Sequence, residues 1–151
     1  MRRPSKKIAL FGGSFNPPHE GHREIVRRLA LRGSIDEVWI LPVWKHPFRK
    51  RLISFKKRVV DCQRYFKGRK ISVKTCEKRP HATGRTVDLL KFLSRMFPNY
   101  RFSWVMGGDA YAQRRRWKDF SQIKKMVRVV VFPRGRGSPI PNLASRLIRK
   151  A

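Results

Sequence analysis

The chain has 151 residues, which predicts one domain spanning residues 1–151. No apolar run approaches the roughly 20 residues of a membrane-spanning helix, so we expect no membrane association. The basic start is followed by an apolar run, residues 8–11, that is too short for a signal peptide. Cys62 and Cys76 match no metal-binding spacing and no disulfide framework, which favours a reducing, cytoplasmic location.

The charge is the unusual property of this sequence. Thirty-eight Lys and Arg against nine Asp and Glu give a net charge of +29. Such a surface attracts polyanions, and we expect it to bind nucleic acid weakly and without sequence preference. It equally suits an enzyme whose substrates carry phosphates, and the charge by itself does not separate the two interpretations.

Short apolar segments alternate with segments of helical periodicity along the chain. The predicted strands are Lys7–Phe11, Glu37–Leu41, Ile71–Val73, Arg101–Met106 and Arg128–Phe132. The predicted helices are His22–Leu31, Phe55–Phe66, Thr86–Phe97 and Phe120–Met126. This alternation predicts a Rossmann-like, doubly wound α/β fold, in which a parallel five-stranded sheet has helices on both faces.

Three candidate site segments directly follow predicted strands. They are Gly12-Gly13, the stretch Pro42–Arg49, and Gly107-Gly108-Asp109. In open parallel sheets, ligands bind beyond the carboxyl ends of the strands. We therefore expect the three segments to converge on one crevice.

The most informative segment is Gly12-Gly13-Ser14-Phe15-Asn16-Pro17-Pro18-His19-Glu20-Gly21-His22. Its first two glycines end a strand and allow a ligand to approach the backbone closely. His19 and His22 are three residues apart, so they share one face of the first helical turn, and Gly21 leaves room between the rings. Two imidazoles at the positive end of a helix suit triphosphate oxygens and the charge that develops during phosphoryl transfer.

This pattern resembles the signature of the adenylyltransferases of pyridine nucleotide biosynthesis, a branch of the HxGH nucleotidylyltransferases. The resemblance implies adenylyl transfer from ATP to nicotinate mononucleotide, with Mg²⁺ as cofactor, giving nicotinate adenine dinucleotide and pyrophosphate in NAD biosynthesis. His19 and His22 would be the catalytic residues, with His22 the stronger candidate for the α-phosphate.

Two further segments extend the resemblance. Residues 41–49 look like the family loop that supplies a basic residue to the phosphates, and Arg49 takes that position. Residues 84–90 are similar to the Ser-Tyr-Thr segment that opens a helix against the pyridine ring, although Gly84 and Arg85 replace the usual Ser and Tyr. Read without the family, Thr86 is expected to be the N-cap of that helix, with Asp88 in its first turn.

The second half of the chain carries two more matches. Trp104–Asp109 resembles the strand-to-Gly-x-Asp turn of the family, where the Asp lies near the ribose and the metal. Trp117 matches the tryptophan that stacks on the nicotinate ring. At the carboxyl terminus, Ser145–Arg149 is the nearest match to a Ser-Ser/Thr-Thr-x-Ile-Arg motif that opens a helix over the triphosphate. The family continues with a closing helix, so we expect this C-terminal helical part to be truncated.

The resemblance assigns the remaining binding residues. ATP would be bound by Gly12, Gly13, Ser14, Phe15, Gly21, Arg49, Gly107, Asp109, Arg134, Ser145 and Arg149. The acceptor would be bound by Asn16, Arg85, Thr86 and Trp117. No residue is expected to ligate Mg²⁺ directly except Asp109, since the ion would be held through the phosphates.

Two alternatives stay open. A sister enzyme that adenylylates phosphopantetheine has similarly short chains, whereas Trp117 and the Gly107-Gly108-Asp109 turn favour pyridine nucleotides. A nucleic-acid-binding protein that kept the fold and lost catalysis would explain the charge and the run Arg114–Arg116. The retention of His19, Gly21 and His22 argues against that protein.

Overall fold

The structure, a computed structural model, describes residues 6–44, 51–80, 82–117 and 119–133, together with the backbone of 148–150. The strands are β1 (Lys6–Gly13), β2 (Glu37–Pro42), β3 (Ile71–Val73), β4 (Tyr100–Gly107), β5 (Arg128–Phe132) and β6 (Ile148–Lys150). The helices are α1 (Glu20–Ala30), α2 (Phe55–Tyr65), α3 (Thr86–Met96), α4 (Gly108–Ala112) and α5 (Phe120–Met126), with a 3₁₀ turn at Arg114–Arg116.

The strands form one sheet in the order β3-β2-β1-β4-β5-β6. The first five strands of that order are mutually parallel, as predicted from the sequence. The chain builds outward from β1 to β3 and then returns to the other side of β1 with β4. The strand order therefore reverses between β1 and β4, where open α/β sheets form their ligand crevice.

Both faces of the sheet are covered by helices, which confirms the doubly wound arrangement. Alternate residues of β1 enter different cores: Ile8 and Leu10 pack with α3 and α5, whereas Ala9 and Phe11 pack with α1 and α2. A strand that is buried on both faces has no polar side to alternate with. This is why β1 and β5 read as continuous apolar runs in the sequence.

Three features differ from the sequence predictions. The helix expected from His22 begins at Glu20, and α4 with the adjoining 3₁₀ turn was not predicted. Residues 148–149, expected in the opening of a helix, lie in β6, which runs antiparallel to β5. Backbone pairing of this kind satisfies polar groups that an edge strand would otherwise leave open.

Candidate active site

A cleft of about 520 Å³ lies at the carboxyl ends of the central strands. Its walls include residues that directly follow β1, β2 and β4, namely Ser14, Val43 and Gly108, and the last residue of β5, Phe132. The predicted convergence of the Gly12-Gly13 and Gly107–Asp109 segments is therefore confirmed. From the loop after β2 the described part of the cleft includes Val43, while residues 45–50 lie outside the described residues.

His19 and His22 build the start of α1. His19 is the N-cap residue, and its Nδ1 accepts a hydrogen bond from the backbone N–H of Gly21 at 3.1 Å. In return, the Nδ1 of His22 accepts from the backbone N–H of His19 at 3.1 Å. The two rings stack with their centroids 3.7 Å apart. Both histidines line the cleft.

These hydrogen bonds set the protonation pattern of the two rings. A neutral imidazole has one donor nitrogen and one acceptor nitrogen. Because each Nδ1 accepts from a backbone N–H, each neutral ring carries its proton on Nε2. The pair can thus offer two N–H donors to phosphate oxygens, at a helix end that itself favours negative charge.

The neighbours of the two rings explain the local sequence. Gly21 was expected to leave room between the rings, but the rings stack directly. A Cβ at Gly21 would instead lie 3.0 Å from the His19 ring, so the glycine lets that ring fold over the backbone. The side chain of Phe15 is buried and packs edge-on against His22 at 4.8 Å. Phe15 was predicted to bind ATP; its side chain supports His22 from behind and does not line the cleft.

Gly12 has a structural role that the sequence did not reveal. A Cβ at this position would lie 2.5 Å from the Trp104 ring, so the space next to the glycine is already occupied by tryptophan. Trp104 also lines the cleft, and its buried indole N–H has no hydrogen-bond partner among the residues that the structure describes. Trp117 packs edge-on against Trp104 with ring centroids 6.4 Å apart. The two tryptophans form an aromatic wall of the cleft.

The start of α3 forms another part of the lining, with Gly84, Arg85 and Thr86. Thr86 was predicted as the N-cap, but the N-cap is Arg85, whose side chain makes no capping hydrogen bond. Thr83 orders the turn before the helix: its hydroxyl accepts from the N–H of Arg85 at 3.1 Å and donates to Asp88 at 2.5 Å. Gly84 adopts a φ of +83°, a left-handed conformation that favours glycine.

Asp109 lies in the first turn of α4 and lines the cleft as an exposed carboxylate. Across the described residues, no group of three or more His, Cys, Asp or Glu side chains could hold a metal ion by itself. A Mg²⁺ ion usually binds one or two carboxylates together with substrate phosphates. One exposed carboxylate in a cleft of about 520 Å³, large enough for a nucleotide, fits that mode of binding.

Glu77 is a cleft residue that sequence reasoning missed. It is 6% exposed, and burial raises the pKa of its carboxyl from 4.5 to about 7, against the opposing charge of Arg79. It lines the cleft together with the start of α3. In the sequence it is one acid in a basic loop, and no local pattern distinguishes it from a solvated residue.

Several predicted site residues fall elsewhere. Asn16, expected to bind the acceptor, does not line the cleft; its Oδ1 accepts from the backbone N–H of Ile53 at 2.7 Å. Arg49, Arg134 and Ser145 lie outside the described residues. Arg149 is described only as backbone in β6. No helix in the described part of the chain is long and apolar enough to cross a membrane.

The fold and this site define a class of protein. The model of the cytidylyltransferase-like family matches residues 10–150, and the chain belongs to that family. Within it, the relatives point to one group, the nicotinate-nucleotide adenylyltransferases. A protein of Myxococcus xanthus described as a probable nicotinate-nucleotide adenylyltransferase is 38% identical, over 97% of this chain and 82% of its own length. One from Gluconobacter oxydans with the same description is 38% identical, over 91% and 70%.

A solved structure agrees with the sequence comparison. The Plasmodium falciparum nicotinic acid mononucleotide adenylyltransferase complexed with NaAD superimposes with a TM-score of 0.78 at 25% sequence identity. The match covers 87% of this chain and 66% of that chain. The predicted family and fold are thereby confirmed.

Proposed function

We propose that this protein transfers the adenylyl group of ATP to nicotinate mononucleotide, forming nicotinate adenine dinucleotide and pyrophosphate. The observation that carries the proposal is the stacked His19–His22 pair at the start of α1, which opens onto the cleft. The names of the relatives support the choice of acceptor. The two free cysteines are compatible with our further proposal of a cytoplasmic location.

The reaction is an in-line displacement at the α-phosphorus. An oxygen of the acceptor phosphate forms the new O–P bond, while the bond from the α-phosphorus to the bridging oxygen breaks and its electron pair leaves with pyrophosphate. The protein supplies position and charge stabilisation, as in other phosphoryl transfers. The Nε2–H groups of His19 and His22 would donate to the phosphate oxygens as negative charge builds up there.

The remaining cleft residues are proposed to bind the nucleotide and the metal ion. The backbone of Gly12, Gly13 and Ser14 would face the nucleotide, and Asp109 would help to hold Mg²⁺. That ion would neutralise charge on the phosphates and on the departing pyrophosphate. Further phosphate ligands are proposed from the sequence resemblance: Arg49, Arg134, Ser145 and Arg149.

The test is pyrophosphate release from ATP with each of three acceptors: nicotinate mononucleotide, nicotinamide mononucleotide and phosphopantetheine. We expect turnover with the first, and its loss in a His19→Ala/His22→Ala double variant. Turnover with phosphopantetheine alone would replace the proposal by the sister activity. No turnover, together with sequence-selective nucleic-acid binding that persists at high salt, would favour the binding protein, since binding driven by charge weakens steeply with salt.

Trp117→Ala should raise the KM for the acceptor far more than the KM for ATP. Trp117 is half-buried against Trp104 and Phe120, and its ring lines the cleft. Loss of a stacking surface typically costs about 1–3 kcal/mol. Trp117→Phe keeps an aromatic face and serves as the control. If the alanine variant unfolds, or if ATP binding is what suffers, Trp117 is not the acceptor platform.

The acid acceptor should be preferred over the amide acceptor. The start of α3 lines the cleft, and helix N-termini favour anions. Arg85 adds an exposed guanidinium whose side chain makes no capping bond. One charge-assisted interaction contributes about 1.5–3 kcal/mol, or roughly tenfold to a hundredfold in kcat/KM. Equal kcat/KM values for the two acceptors would refute the preference, and a preference that survives Arg85→Ala would assign it to the helix end.

A further inference from the structure

Arg58 is a charged side chain in the interior of the protein. It lies in α2 and is 1% exposed. Its Nε donates to the carbonyl of Ile53 at 2.7 Å. One terminal nitrogen, Nη1, donates to two further carbonyls, those of Ser14 at 3.0 Å and Val43 at 2.6 Å.

No carboxylate among the described residues forms an ion pair with Arg58, and its hydrogen-bond acceptors there are backbone carbonyls. Burial without a counter-charge lowers the pKa of the guanidinium. Removing a charged group from water is costly, and a buried charge persists where several hydrogen bonds compensate it. An apolar side chain would fill this interior position without the cost of burying a charge. The three hydrogen bonds therefore indicate a role beyond packing.

Two of the three carbonyls, those of Ser14 and Val43, belong to segments that meet at the cleft. Ser14 is the first residue after β1 and begins the turn formed by residues 14–19, which we call the His19 turn. Val43 is the first residue after β2. Both line the cleft. A backbone hydrogen bond between the two segments runs from the N–H of Val43 to the carbonyl of Gly13, just past the ends of β1 and β2. Beyond that bond, the guanidinium of Arg58 connects the carbonyls of Ser14 and Val43.

Ile53 connects Arg58 to a second side chain. Its carbonyl accepts from Arg58, and its N–H donates to Asn16, which lies in the turn between β1 and His19. Both backbone polar groups of Ile53 are therefore bound by side chains, one from α2 and one from the turn. We call this arrangement of Arg58, Asn16 and the carbonyls of Ser14, Val43 and Ile53 the Arg58 clasp.

We propose that Arg58 is a positioning residue of the active site: through the Arg58 clasp it fixes the His19 turn relative to the segment after β2. This inference rests on the proposed adenylyl transfer, because it assigns the clasp to the geometry of that reaction. The fork of a guanidinium can reach carbonyls in different directions at once, whereas a lysine ammonium of similar charge lacks that planar geometry. Displacement of catalytic groups by about 1 Å can cost a hundredfold in rate.

The test compares Arg58→Lys and Arg58→Met with Arg64→Met, which removes an exposed arginine from the same helix. For Arg58→Lys we expect kcat to fall by about tenfold to a hundredfold, with cooperative thermal unfolding retained. The KM for the acceptor should stay within about threefold of wild type, because the clasp does not touch the start of α3 or Trp117. Arg64→Met should behave as wild type.

Asn16→Ala tests the clasp from its other side. It should lower kcat by a smaller factor than Arg58→Lys and likewise leave the KM for the acceptor nearly unchanged. In the double variant, kcat should be little lower than in Arg58→Lys alone, since both side chains hold Ile53. A wild-type kcat in Arg58→Lys with only a lower Tm would overturn the proposal. So would unfolding of both Arg58 variants together with wild-type kcat in Asn16→Ala, because the clasp would then serve folding alone. If the wild-type protein shows no adenylyl transfer, the proposed function is refuted. That result comes from the wild-type assay alone and is distinct from the comparison of the variants.

Discussion

We expect His22→Ala to lower kcat by a factor equivalent to about 2.7–4 kcal/mol of barrier, the usual effect of removing one donor to a transition-state oxyanion. His22 lines the cleft and stacks on His19 at 3.7 Å. Its Nδ1 accepts from the backbone, so the neutral ring carries its proton on Nε2, the nitrogen that would donate to a phosphate. Steady-state kinetics with ATP and nicotinate mononucleotide measure the effect.

The structure also predicts a side effect of that substitution. His22 accepts the backbone N–H of His19, so the alanine variant loses one capping hydrogen bond of α1 and about 0.5–2 kcal/mol of stability. His22→Asn is the matched control, because its carbonyl can replace Nδ1 as the acceptor while no group replaces Nε2–H. It should regain the stability and keep the loss in kcat. A folded His22→Asn enzyme with wild-type turnover would remove His22 from the catalytic role.

We expect Glu77→Gln to stabilise the protein at pH 8 to 9 and to leave its stability nearly unchanged at pH 4. Burial raises the pKa of Glu77 in the folded protein from 4.5 to about 7. The folded state therefore binds the proton more tightly than the unfolded chain, and wild-type stability is lost as pH rises through about 7. A shift of this size corresponds to roughly 3 kcal/mol above pH 7, which the neutral glutamine does not incur.

Glu20→Gln is the control for this experiment, because it makes the same change in net charge at a side chain that is 71% exposed. The melting temperatures of the two variants should separate progressively as pH rises from about 4.5 to about 7, and the difference should stay constant above that range. If the melting temperatures of Glu77→Gln and wild type follow the same pH dependence, the Glu77 carboxyl is solvated or paired, and the prediction is wrong. Cys76 and Arg79 are the titratable neighbours, and Cys76→Ser and Arg79→Gln identify any contribution from them.

The sequence determined the order and type of the main elements. Buried parallel strands must be apolar on both faces, so β1 and β5 were readable as short continuous runs between helical patterns. It also determined the His19–His22 pair, because the spacing of three residues places both rings on one helical turn. Trp117 and Asp109 were assigned from the family resemblance, Asp109 also from its place directly after β4, and the structure brings both to the cleft.

Contacts between residues far apart in the chain were decided by the tertiary structure alone. Arg58 reads as one more surface cation in a chain with a net charge of +29, and its bond to Ser14 spans 44 positions. Trp104 occupies the space beside Gly12, which the sequence assigned to a ligand. The burial of Glu77 has no local signature either. Local patterns record the period of a helix or strand, whereas burial, desolvation and long-range hydrogen bonds depend on which segments the fold brings together.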